Sequence, residues 1–168
     1  MFTKDLSPDS KVWVYQSSRK FTNQEEEAIL PLIKKFVADW TAHKLQVEGE
    51  GLLLYNRFVV LAADEKNVGV SGCSIDSSVH FIRSLQTAFH TNFFDRWNIA
   101  YENGEEVESC GRTEFENLVS AGTIQDETIV FNNLVATKAE FDSRWKIAYK
   151  NSWLKNLAAT HTAFTSVL

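Results

Sequence analysis

A chain of 168 residues, 44% hydrophobic and 23% charged, is long enough to bury one good core and short for two, so a single domain is expected. A net charge of −5 without any Lys/Arg cluster argues against a nucleic-acid partner, and no apolar stretch approaches the roughly 18 residues of a membrane span. The start, Met1-Phe2-Thr3-Lys4-Asp5, lacks a leader pattern, and Cys73 and Cys110 are too few for a disulfide scaffold, which together predict a cytoplasmic protein with two reduced thiols.

In chain order, Val12–Tyr15 reads as a strand. Thr22 with Glu25 fits a capping box, in which the hydroxyl accepts from an orphan amide and the carboxylate answers back. Behind it Ile29, Leu32, Ile33, Phe36, Val37 and Trp40 recur at helical spacing, with Pro31 as a candidate kink. Leu45–Leu54 and Arg57–Ala63 follow as strands, the second apolar on both faces as a central strand should be. The segment Ser71–Ser78 reads as a loop. It leads into a helix that starts near Asp76-Ser77-Ser78, turns Val79, Ile82, Leu85 and Phe89 inward, and ends near His90.

Trp97, Ile99 and Tyr101 alternate on a strand over Trp97–Tyr101, and Asn103-Gly104 is the strongest turn signal, joining it to Glu106–Cys110. A second capping box, Thr113 with Glu116, starts a short helix burying Phe115, Leu118 and Val119, with Gly122 just past its end. Thr128–Phe131 is a strand. A third box, Thr137 with Glu140, starts the last helix, which turns Phe141 and Trp145 inward and extends towards Trp153 and Leu157, with Asn151-Ser152 as an interruption.

This order predicts an α+β fold: a mixed, largely antiparallel sheet with helices packed on it, built on a ferredoxin-like split βαβ core with a C-terminal extension.

Four stretches are similar to a known family: Val12-Trp13-Val14-Tyr15-Gln16-Ser17, Trp40 with His43, Ser71-Gly72-Cys73-Ser74-Ile75-Asp76, and Phe131-Asn132-Asn133. They resemble an uncharacterised family of small Bacteroidetes proteins, some of which bear the label "ABC transporter ATPase". The resemblance implies a bacterial protein and brings no established activity. The residues themselves argue against the label. A phosphate-wrapping loop ends in Gly-Lys-Ser/Thr, and none of the 7 glycines is followed by lysine.

The candidate ligand site is Ser71, Gly72, Cys73, Ser74, Asp76, Ser77 and Ser78. Small residues admit a ligand to the backbone and a helix N-terminus favours an anion, although an ordinary cap uses the same residue types. Asp76, if it caps, opposes the anion. Cys73 is the candidate nucleophile, with His80 or His43 as base. Cys73, Asp76 and His80 form a poor metal set, so no metal and no cofactor are expected. Asn132-Asn133 and Asp95-Arg96 read as turn and ion-pair residues. The leading expectation is a non-catalytic binding or interaction protein with a small anionic ligand at Ser71–Ser78. The alternatives are a thiol-dependent enzyme centred on Cys73, and a structural partner subunit that dimerises through Trp153, Phe164 and the aromatic tail 158–164.

Overall fold

The computed structural model describes residues 2–42, 45–64 and 72–157, without the side chains of Ala42, Leu45 and Gly72–Ser74. The fold is α+β, with antiparallel sheets. The described residues form two compact units. One lies within Met1–Asp95 and Asn133–Ser143, the other within Arg96–Asn132 and Arg144–Leu168.

In the first unit, β1 (Lys11–Gln16) leads to α1 (Asn23–Asp39), then to a short ribbon of β2 (Thr41–Ala42) and β3 (Leu45–Gln46). Next come β4 (Glu48–Leu54), β5 (Phe58–Asp64) and α2 (Gly72–Ala88). The sheet order is β1-β5-β4. Every residue of β5 is buried, as its unbroken apolar run requires of a central strand. Both neighbours of β5 are antiparallel to it. This is the expected split βαβ arrangement, in which β1 and β4, joined through α1, run parallel to each other with β5 antiparallel between them. The short connection Tyr55–Arg57 makes β4 and β5 a hairpin, and the crossover through α1 places β1 on the far side of β5.

The single strand expected over Leu45–Leu54 is two pieces. It breaks at Val47, whose N–H donates to the Trp40 carbonyl at 2.9 Å. Tyr55 and Asn56 turn the β4–β5 hairpin with φ of 54° and 49°, the left-handed region in which asparagine is tolerated best.

The α1 start is as the sequence predicts. Thr22 accepts from the Glu25 N–H at 3.2 Å and the Glu25 carboxylate accepts from the Thr22 N–H at 2.9 Å. The helix passes through Pro31 and buries Ile29 and Ile33, while Leu32 from the expected stripe is 42% exposed. Ile29, Ile33 and Trp40 meet Leu53, Val59, Leu61, Ala63, Ile82 and Leu85 in one core between the sheet and the two helices. Phe36 of α1 stacks on Phe81 of α2 with ring centroids 4.4 Å apart. The outer edge of β1 is closed by the returning chain. Val12 N–H donates to Ala136 O at 3.0 Å and Lys138 N–H to Ser10 O at 2.9 Å. There α4 (Lys138–Arg144) begins, with the Thr137 hydroxyl accepting from Glu140 N–H at 3.2 Å.

In the second unit, β6 (Ile99–Asn103) and β7 (Glu106–Cys110) form the expected hairpin, with Gly104 at φ 62°. Trp97 is not part of the inner face but lies before the strand, 45% exposed beneath the Arg112 guanidinium. Helix α3 (Arg112–Ser120) is capped by Gly111 and not by Thr113, which falls inside the first turn. Glu116 pairs with Arg112 instead, at 2.8 Å. Gly122 ends α3 at φ 75°, as expected.

Strand β8 (Ile129–Phe131) is followed by β9 (Lys146–Ala148), giving the order β7-β6-β8-β9. The last helix therefore stops at Arg144 rather than running on. Trp145 is buried against Phe131, and its carbonyl accepts from Asn132 N–H at 2.7 Å, which pulls the chain into an extended strand. Among the described residues no helix is long and apolar enough to cross a membrane.

Candidate functional site

Helix α2 begins at Gly72, so Gly72, Cys73, Ser74, Ile75, Asp76, Ser77 and Ser78 are helical and not a loop. This corrects the expected helix start. Asp76, Ser77 and Ser78 stand beyond the first turn, where the amides are already paired along the helix and none is left for a cap or an anion. Asp76 and Ser77 are exposed. Ser78 is fully buried, and its hydroxyl donates to Ile75 O at 2.7 Å. It also bonds the Tyr15 phenol, which burial pushes up and this bond partly restores. Ser78 fastens α2 to the sheet. Ser71 lies outside the described residues, as do the side chains of Gly72, Cys73 and Ser74.

His80 is exposed on α2. It follows Cys73 by seven helical positions, a rise of about 10 Å along the axis. His43 lies outside the described residues. Cys110 ends β7, buried, and burial, then Glu114 and Glu108, push its thiol up to about 11. That thiol is protonated at neutral pH and inert. Among the described residues no three of His, Cys, Asp and Glu stand together as a metal set. The Asn133 amide donates to Gln16 Oε1 at 2.7 Å, a bond that ties the returning chain to the end of β1. Trp153 is 42% exposed, and the tail 158–164 lies outside the described residues.

The structure places a cleft elsewhere, between the C-terminal half of α1 and β4. It measures about 530 Å³ and is lined by Lys4, Lys34, Val37, Ala38 and the run Gln46–Gly51, within the size range of small-ligand sites. Two glycines shape it. A Cβ on Gly51 would stand 2.4 Å from Ile33 Cγ2, and one on Gly49 would stand 2.6 Å from Ala62 O. The helix therefore sits directly over bare backbone.

A strap from the N-terminus crosses the edge of β4. Thr3 N–H donates to both Glu50 oxygens at 2.9 Å, the Thr3 hydroxyl donates to Oε1 at 2.7 Å, and Lys4 N–H donates to Oε2 at 2.8 Å. Lys4 Nζ donates to Gly49 O at 2.6 Å. Burial raises the Glu50 carboxyl, but the bonds from Lys4 and Thr3 outweigh it and hold the group below its ordinary range. Glu50 is thus an ionised anchor.

Sequence reasoning missed this cleft. Its signal was the alternation Glu48-Gly49-Glu50-Gly51 inside a strand, because glycine there marks a close approach to the backbone. Comparison with family models, curated proteins and solved structures gives no match.

Proposed function

We propose that this chain is a non-catalytic interaction protein of the cytoplasm, and that it receives an extended polypeptide segment along β4 beside α1. The observation that carries this reading is the make-up of the cleft. It is lined by strand backbone, by short apolar side chains and by Lys4, Lys34, Glu48 and Glu50, with no cysteine, histidine or serine among the described residues that line it. Two ammonium and two carboxylate groups balance, which suits a polypeptide backbone better than a free anion. A strand edge offers such a backbone a ladder of hydrogen bonds.

The reading is tested by panning a displayed heptapeptide library on the purified protein. Enriched peptides should slow hydrogen exchange at the Gly51 and Leu53 amides, and protection confined to other segments would overturn the seat. Non-catalysis is tested at Cys73. A native thiol that labels rapidly with an apparent pKa well below the free value of about 8.5 would favour the thiol enzyme instead.

A further inference from the structure

We propose that the segment docking on β4 is the β4 of a second copy of this chain, and that the Thr3–Lys4 strap on Glu50 holds this surface closed in the monomer. The inference rests on the binding reading above and names its partner.

Hydrogen-bond parity gives the geometry. Ser17 N–H donates to Arg57 O at 2.9 Å. In the same register Tyr15, Trp13 and Lys11 stand opposite Val59, Leu61 and Ala63, so those three β5 residues spend their backbone bonds on β1. In an antiparallel ladder bonded pairs alternate, which leaves Phe58, Val60, Ala62 and Asp64 to bond β4. Their partners are Leu54, Leu52, Glu50 and Glu48. Gly49, Gly51 and Leu53 therefore direct their N–H and C=O groups away from the sheet. The Lys4 ammonium on Gly49 O lies on that side, and the other edge, on β1, is already closed by Ala136 and Lys138.

β4 can pair with itself about a two-fold axis at Gly51. Gly49 then faces the partner's Leu53 and Gly51 faces the partner's Gly51, so every outward residue meets an outward residue, with about six backbone bonds across the joint. The side chains agree with this register. Glu50 falls opposite the partner's Leu52 and Glu48 opposite the partner's Leu54, so no carboxylates meet. Pairing about Gly49 instead would set Glu48 against the partner's Glu50, a repulsive contact. On the α1 face a leucine comes beside a glycine, which suits the space left where Val37 and Ala38 overhang bare backbone. An edge of this kind recruits another strand unless something guards it. Here the guard is the strap, which buries Gly49 and leaves Gly51 partly exposed beyond it.

The experiment is light scattering on the full chain with Glu50→Ala, and in parallel with Thr3→Pro/Lys4→Ala, which releases the strap while leaving β4 unchanged. The wild type should run at its 19.1 kDa and either released variant at twice that mass. Under mild oxidation Glu50→Cys/Leu52→Cys should form a covalent dimer, and Glu50→Cys/Leu54→Cys should not. Released variants that stay at the wild-type mass up to millimolar concentration overturn the inference. So does a doubled mass with the cross-linking preference reversed. If the mass stays single while displayed heptapeptides still protect Gly51 and Leu53, self-pairing is lost and the binding reading stands. If neither occurs, both are lost.

Discussion

At the scale of single residues, Ser78 and Glu25 show how a side chain with an apparent functional role can be structural. Ser78→Ala removes bonds to Ile75 O and to the Tyr15 phenol and should cost about 1 kcal/mol in urea unfolding. Phosphate should shift the melting temperature of Ser78→Ala and wild type equally; a phosphate effect that the variant abolishes would return Ser78 to the ligand set. Glu25 joins its capping box to Arg19, whose Nη1 and Nη2 reach it at 2.9 and 2.6 Å while Nη2 also donates to Phe89 O at the end of α2. The Arg19 bond first, then the Thr22 amide, hold the Glu25 carboxyl down at about 2 against an ordinary 4.5. A lowered folded-state pKa stabilises fully above the ordinary value and is lost as the pH falls through the lowered one. Wild type should therefore exceed Glu25→Gln in urea stability by a constant margin above pH 5, and the margin should close between about pH 4.5 and 2. A margin that persists at pH 2 would show that Arg19 does not hold the charge.

At the scale of elements, the β4–α1 contact sets the tightest constraint. Gly51→Ala drives a methyl group into Ile33 and Val37, and overpacking of this kind should cost about 1–3 kcal/mol, measurable as a lower urea midpoint with an unchanged slope. Gly104→Ala meets no atom within 4 Å, so its cost should come only from φ, about 1 kcal/mol. The elements legible in the sequence were those specified locally. The Thr22 box, the turn at Gly104, the Gly122 stop and the apolar run of β5 each depend on neighbours in the chain. What escaped depended on distant partners. The ribbon break at Val47 needs the Trp40 carbonyl, and β9 needs β8 beside it. The early start of α2 hid behind serines and an aspartate that favour caps in general. The cleft escaped because its one mark in the chain, the glycine alternation at Gly49 and Gly51, acquires meaning only from the distant helix that packs over it.

At the scale of the whole molecule, two compact units share one thread, which passes between them after Asp95, Asn132 and Ser143. The first unit is incomplete without Ala136–Lys138, which supply the backbone bonds along the outer edge of β1. We therefore expect one cooperative thermal transition, with calorimetric and van't Hoff enthalpies equal; two resolved peaks would show that the units melt independently. The same returning segment has a consequence for biosynthesis. A ribosome making this chain releases β1, β4 and β5 well before the residues that seal β1, and at about 5–20 residues per second the interval lasts about 4–15 seconds. During that time the β1 margin of the nascent sheet is within reach of other nascent chains. The strap, made before β4, can protect the β4 side from the moment that strand emerges, while the β1 side stays open until Ala136–Lys138 are released.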